Sequence, residues 1–309
     1  MMICSKKTIK IIFNISKRRK FLKRYLNLLN SYNEDISFDL LIINEIGAKI
    51  VNVKGNNFQI LNIDFNGKVN GMNDIFRAIY KSQNILKNYK YSCFVEDDNF
   101  IFPTSLMSAE LFLDENDDFI ACSGNKFLFS RINNKNYYYL NKYVGPSTNS
   151  LNTVKQRLEN YNGALCYYSL IRQKIFIKIL KSIIQIKDDN MSEVLFNFLT
   201  IKYGKIYELN HIYLAREYPR PKIYNIPSKT KWLSNKDLFK DILFVMKSID
   251  KKCSDELLDI SIYKYLSKRF KIKKKLNLKD RIMYLYKKSK FYLLNYFTIK
   301  NFIKNLNQL

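Results

Sequence analysis

The sequence predicts an α/β fold: a mainly parallel sheet flanked by helices. Two observations predict it. First, short apolar runs alternate with stretches of helical spacing from residue 8 to residue 113. Second, the run 91–95 (Tyr-Ser-Cys-Phe-Val) is short, aromatic and β-branched, which marks a buried strand. That run ends abruptly in three carboxylates, Glu96, Asp97 and Asp98. In open parallel sheets the carboxyl ends of the strands are where ligands bind.

Taken in order, residues 8–15 read as the first strand. Residues 18–30 follow as a helix, because Phe21, Leu22, Tyr25, Leu26 and Leu29 recur at helical spacing. Residues 38–43 form a second buried strand that ends at Asn44-Glu45-Ile46-Gly47, and 58–63 a third. A polar turn at 66–70 leads into a helix from 73 to 86. The fourth strand is 91–95. A helix at 106–113 and a strand at 119–130, broken by Gly124, come next. Residues 135–150 are polar and Tyr-rich with Gly145-Pro146, and read as a loop long enough to be a lid. Then come a helix at 151–161, a strand at 164–170, a helix at 174–184, a helix at 188–203 closed by Gly204, and a last strand at 205–215. Pro219, Pro221 and Pro227 mark a boundary, giving a domain over 1–225 and a helical, basic extension over 226–309.

The net charge of +26 invites a nucleic-acid reading, so its location matters. Residues 264–309 hold 14 Lys or Arg against the single acid Asp280, and so carry half of it. The same segment carries Tyr284, Leu285, Phe291, Leu294, Phe297 and Phe302. Basic helices with an apolar face lie on anionic membranes; the alternatives are that these aromatics pack on the domain or, least favoured, that the segment binds nucleic acid. Five scattered cysteines with no CxxC pair point to reduced thiols and a cytoplasmic protein, held peripherally at the inner membrane face if the tail binds there. The N-terminus lacks a signal-peptide pattern, and no apolar run approaches the roughly 18–20 residues that span a bilayer.

One histidine, His211, excludes His-rich zinc sites, and no phosphate-loop or dinucleotide-binding glycine motif is present. What remains is carboxylate chemistry at Glu96, Asp97, Asp98, Asp188, Asp189 and Glu193. Three acids at a strand end repel one another, and a divalent cation would relieve that repulsion while holding phosphate oxygens. The plainer alternative is a solvated acidic turn before a helix. Asp188 and Asp189 also suit helix capping, Glu193 an exposed helix position, and His211 a strand histidine.

The order of these motifs resembles glycosyltransferases of the GT-A fold, in the broad family-two-like group and its bacterial relatives, over about residues 8–220. The resemblance rests most on the strand, Glu96-Asp-Asp-Asn-Phe-Ile-Phe-Pro103, the helix after it, and Phe119-Ile-Ala-Cys-Ser-Gly124. Arg18 and Leu22, then Gly71, Asn73 and Arg77, fit the group's arginine-bearing helices, and Arg157–Glu159, Tyr167–Arg172, Ser192-Glu193, Gly204–Ile206 and Arg216-Glu217 follow its later pattern. Two departures bear on the donor: Asn44-Glu45 stand where the group has Asp at the end of strand two, and Glu96 opens the triplet where Asp is commoner.

The resemblance implies transfer of a sugar from a nucleotide diphosphate to an acceptor hydroxyl, by single displacement with inversion, in bacterial surface glycan synthesis. It implies donor contacts from Arg18, Asn44, Glu45, Asn73, Arg77 and Asp97. It implies a Mg²⁺ or Mn²⁺ on Asp98 with Glu96 or Asp97 helping, with His211 as a further candidate ligand, and Glu193 as the base with Asp189 in reserve. The acceptor is expected to be a glycan or a lipid-linked glycan. A metal-dependent nuclease, or a non-catalytic membrane-surface protein on the same fold, stands as the alternative.

Overall fold

The computed structural model describes residues 8–14, 19–32, 38–48, 58–132, 135–143, 151–161, 165–186 and 189–217, with the single positions 148, 244, 300 and 301. Arg18, Asp188 and almost all of the basic segment 226–309 lie outside the described residues.

Among the described residues, nine strands form one mixed sheet in the order β3-β2-β1-β4-β8-β6-β9-β5, with β7 on β6. The first half is parallel and follows the expected alternation. β1 (Thr8–Asn14), α1 (Arg19–Asn30), β2 (Phe38–Glu45), β3 (Ile60–Phe65), α2 (Met72–Lys81) and β4 (Tyr91–Val95) come in that order, with the short α3 (Gln83–Leu86) before β4. β1 pairs with β2 on one side and β4 on the other, both parallel. Strand order therefore reverses between β1 and β4, and in open α/β sheets ligands bind beyond the carboxyl ends of the strands at such a point. The later elements are β5 (Asn99–Ile101), α4 (Pro103–Glu115), β6 (Phe119–Ile132), β7 (Lys135–Tyr143), α5 (Val154–Asn160), β8 (Leu170–Arg172), α6 (Gln173–Ile183), α7 (Asp189–Tyr203) and β9 (Lys205–Glu217).

Helical spacing decides which faces are covered. α1 buries Leu22, Tyr25, Leu26 and Leu29 against one face of the sheet, where Tyr25 meets Phe100 edge-on at 5.2 Å. On the other face α2, α6 and α7 meet in a cluster of rings: Phe76 stacks on Phe196 at 5.3 Å, and Phe94 of β4 lies 6.3 Å from Phe76. Ring pairs at such separations add to area burial by about 0.5–1.5 kcal/mol each. Both faces of β4 are thus dry, which is why its five residues are all buried.

Several expectations are corrected. Residues 135–143 are not a loop but strand β7, antiparallel to β6, as their run of tyrosines favours. β6 runs through Gly124 without breaking; its register against β9 slips there instead. A Cβ on Gly124 would come within 2.7 Å of Tyr213 Cβ and 3.1 Å of the His211 carbonyl, so the close approach needs glycine. The expected strand at 164–170 shrinks to β8, with turns before it. The helix 73–86 divides at Ser82, whose hydroxyl donates back to the Ala78 carbonyl at 3.2 Å.

Candidate active site

Pairing of Asn14 with Asn44, of Asn44 with Asp64, and of Ile12 with Val95 aligns the carboxyl ends of β1 to β4. Glu96, Asp97 and Asp98 leave the sheet at that edge. β5 turns back immediately and pairs with β9, Asn99 opposite Arg216. The Glu217 amide donates to the Asp98 carbonyl at 3.0 Å, and the Asn99 amide to the Glu96 carbonyl at 3.1 Å. The acidic turn is therefore clamped by backbone bonds on both sides, not a loose solvated loop.

Glu96 is held by three donors on one oxygen. Its Oε2 accepts from the Tyr168 hydroxyl at 2.5 Å and from Asn99 Nδ2 at 3.0 Å, and lies 3.3 Å from Arg216 Nη2. Tyr168 is fully enclosed, with Lys126 Nζ 4.9 Å from its ring centre. Tyr168 first, and then Glu96 and Asp98 against the cost of burial, push the Arg216 guanidinium above its ordinary value. Burial pushes the neighbouring Tyr167 phenol well up, and the charges of Glu193 and Glu96 push it further. Glu193 of α7 and Glu96 of the strand end thus both lie within electrostatic reach of one phenol although they are far apart in sequence. Asp97 is buried, 1% exposed, and Asp98 is half-buried.

The other expected donor contacts divide. Glu45 Oε1 accepts from the Val69 amide at 2.9 Å, and Asn44 Nδ2 reaches Asn62 Oδ1 at 3.4 Å, so both sit at the strand-two edge. Asn73 and Arg77 turn to the link between α6 and α7. Asn73 Nδ2 donates to the Ile186 carbonyl; Arg77 donates to Ile184 at 3.2 Å and Ile186 at 3.4 Å. Asp189 returns the contact: its Oδ1 accepts the Asn73 amide at 2.9 Å and caps α2 from a different helix. A Cβ on Gly71 would overlap that carboxylate. His211 is not brought to the acids. It lies five residues before Arg216 along β9, roughly 16 Å away at about 3.3 Å per residue, and its burial lowers its pKa.

No group of three metal-binding side chains occurs among the described residues. Asp98 with the oxygens of a donor diphosphate still fits Mg²⁺, which takes one or two carboxylates plus substrate phosphates. Glu96 fits less well, because its Oε2 already serves Tyr168, Asn99 and Arg216. No local pattern in the sequence marks Tyr168 or Arg216 for a role beside the acids. Their chemistry becomes visible only when β8, β9 and β4 are side by side.

The mostly parallel mixed sheet flanked by helices is a fold of the GT-A type. Among solved structures, the chain is similar to residues 1–349 of TarS from S. aureus in complex with UDP-GlcNAc, with a TM-score of 0.55 and 15% identity over 97% of this chain and 89% of that one. Against the same TarS segment in complex with UDP the TM-score is 0.54 at 14% identity, over 90% of this chain and 78% of that one. Against the longer TarS structure it is 0.52 at 15% identity, and the chain spans 46% of that chain's length. No protein-family model and no curated protein matches the sequence.

Proposed function

We propose that the protein is a glycosyltransferase that moves a sugar from a UDP-sugar to an acceptor hydroxyl. The observation that carries this reading is the acidic turn Glu96–Asp98, clamped at the carboxyl end of β4 beside the strand-order reversal, in a fold shared with a protein solved with UDP-GlcNAc and UDP. In this mechanism the acceptor hydroxyl attacks the anomeric carbon while the bond from that carbon to the diphosphate breaks, with inversion. Glu193 takes the hydroxyl proton. What supports Glu193 over Asp189 is that Asp189 holds the amino end of α2, whereas the charge of Glu193 is felt at Tyr167 together with that of Glu96. Arg216, fixed by Glu96 and next to Asp98, presents positive charge where the diphosphate leaves. A Mg²⁺ or Mn²⁺ on Asp98 would add counter-charge at the same place.

The acceptor belongs in this reading to bacterial surface glycan synthesis and is a glycan or lipid-linked glycan, with the basic segment 264–309 at an anionic membrane surface. Among the described residues no helix is long and apolar enough to cross a membrane. The test is to incubate the full chain with a panel of UDP-sugars, with and without Mn²⁺, and measure UDP release and binding. Absence of both binding and release across the panel, or cleavage of a phosphodiester substrate instead, would overturn the proposal.

A further inference from the structure

The sheet has two halves, and the acidic turn bridges them. β3, β2, β1 and β4 form one; β6, β7, β9 and β5 form the other, with β8 between. Among the described residues β8 pairs with β4 through Tyr91 and Ser92 alone, at the amino end of that strand. The carboxyl end of β4, where Glu96, Asp97 and Asp98 leave, lies beyond that reach. There the last two residues of β9 take over. Arg216 pairs with Asn99, and its guanidinium lies 3.3 Å from Glu96. The Glu217 amide donates to the Asp98 carbonyl at 3.0 Å. The place of the acids therefore depends on where Arg216 and Glu217 sit.

A side chain with none of the roles above ties those two residues to the other half. Arg24 of α1 donates through Nη2 to Glu217 Oε2, across 193 residues of sequence. The pair is nearly enclosed, its side chains 10% and 14% exposed. The rings of Phe21 and Phe100 each lie 5.3 Å from the Arg24 guanidinium carbon. The neighbouring Tyr25 hydroxyl donates to the Ile101 carbonyl at 3.4 Å. α1 thus meets both strands that hold the turn, β5 through Tyr25 and β9 through Arg24. An ion pair so enclosed gains little net stability, because desolvating both charges offsets their attraction. Its consequence is geometric. Without Arg24 the Glu217 carboxylate would turn toward water, and the same residue carries the amide that holds Asp98.

We propose that Arg24 is a positioning residue of the candidate site. Through Glu217 it fixes the end of β9, and so sets Asp98 and Arg216 in place where the diphosphate leaves. The fixing of the turn stands on these contacts alone; its effect on turnover rests on the transfer reading.

The test compares wild type with Arg24→Lys, Arg24→Met and Arg24→Met/Glu217→Met, by hydrogen exchange and by UDP-release kinetics. Met keeps an apolar stem against Phe21 and Phe100. The double variant leaves no carboxylate unpaired, so its melting temperature should stay within about 3 °C of wild type. Exchange should nevertheless rise at least about ten-fold in residues 98–101 and 214–217 of both Met variants, and stay unchanged in β1 to β3. In both, kcat should fall at least about ten-fold with the donor KM moved less than about three-fold, since a misplacement of about 1 Å can cost about 100-fold in rate. The contact uses one guanidinium nitrogen, so Arg24→Lys can remake it and should match wild type in both readouts. Wild-type exchange in the double variant would overturn the proposal, because apolar packing would then place the turn unaided. A rise in exchange spread evenly over the sheet would overturn it too, because the pair would then serve general stability. If wild type releases no UDP, the transfer reading fails, and the exchange measurement by itself decides whether Arg24 holds the turn.

Discussion

Asp189 and Glu193 lie one helical turn apart on α7, and the structure gives them different work, so substitution should separate stability from turnover. Asp189 Oδ1 accepts the Asn73 amide at 2.9 Å, and that residue is buried, 3% exposed. Asp189→Ala removes a helix cap worth about 1 kcal/mol. It also removes a carboxylate at the positive end of α2, worth about 0.5 kcal/mol at a partly exposed site. The loss of about 1.5 kcal/mol corresponds to a fall of about 3–6 °C in melting temperature for a domain of this size. Asp189→Asn keeps an acceptor oxygen and should lose much less. Gly71→Ala should imitate Asp189→Ala, because its new methyl displaces the carboxylate, and the two changes together should cost little more than either alone. Glu193→Gln should leave the melting temperature within about 1 °C and lower kcat at least about 100-fold, the low end for loss of a general base. Calorimetric melting and UDP-release kinetics, run well below each variant's transition, read both effects. If Asp189→Asn lowers kcat at an unchanged melting temperature, the capping assignment fails and Asp189 becomes the base.

Three further outcomes are expected. Asp98→Asn should abolish transfer without loss of melting temperature, and excess EDTA should imitate it; full activity in EDTA would remove the cation from the mechanism. Tyr168→Phe deletes the 2.5 Å hydrogen bond to Glu96 and should cost about 1.5–3 kcal/mol in urea unfolding, the range for a bond to a charged group. A loss under about 0.5 kcal/mol would mean that Arg216 and Asn99 alone satisfy Glu96. Burial lowers the His211 pKa below its unfolded value near 6.5, so the folded state resists its protonation and stability falls as pH drops below that value. Wild type should accordingly lose more melting temperature between pH 7.5 and 5 than His211→Gln does; equal losses would show that other groups dominate.

Periodicity alone determined the first half of the fold. β1 to β4 and their helices are legible because each is a local pattern: five buried residues in a row for β4, and Leu22, Tyr25, Leu26 and Leu29 on one side of α1. The acidic turn was legible for the same reason, as three carboxylates directly after a dry strand. Partnership was not legible. Residues 135–143 lack the apolar alternation that marks a strand, and their tyrosines are drawn into one only because β6 offers an edge. Asn73 and Arg77 carry the right residue types for a donor contact, yet the α6–α7 link presents them with carbonyls first. Arg157 and Arg172 behave alike, donating to the carbonyls of Ile201 and Lys202 and of Leu113, Asn116 and Phe119. The pairing of Glu96 with Tyr168 and Arg216 spans 72 and 120 residues, and no spacing rule covers such a distance. A sequence records which side chains can ionise or donate; only packing decides which of them meet, because burying a charge is costly until the chain brings it a partner.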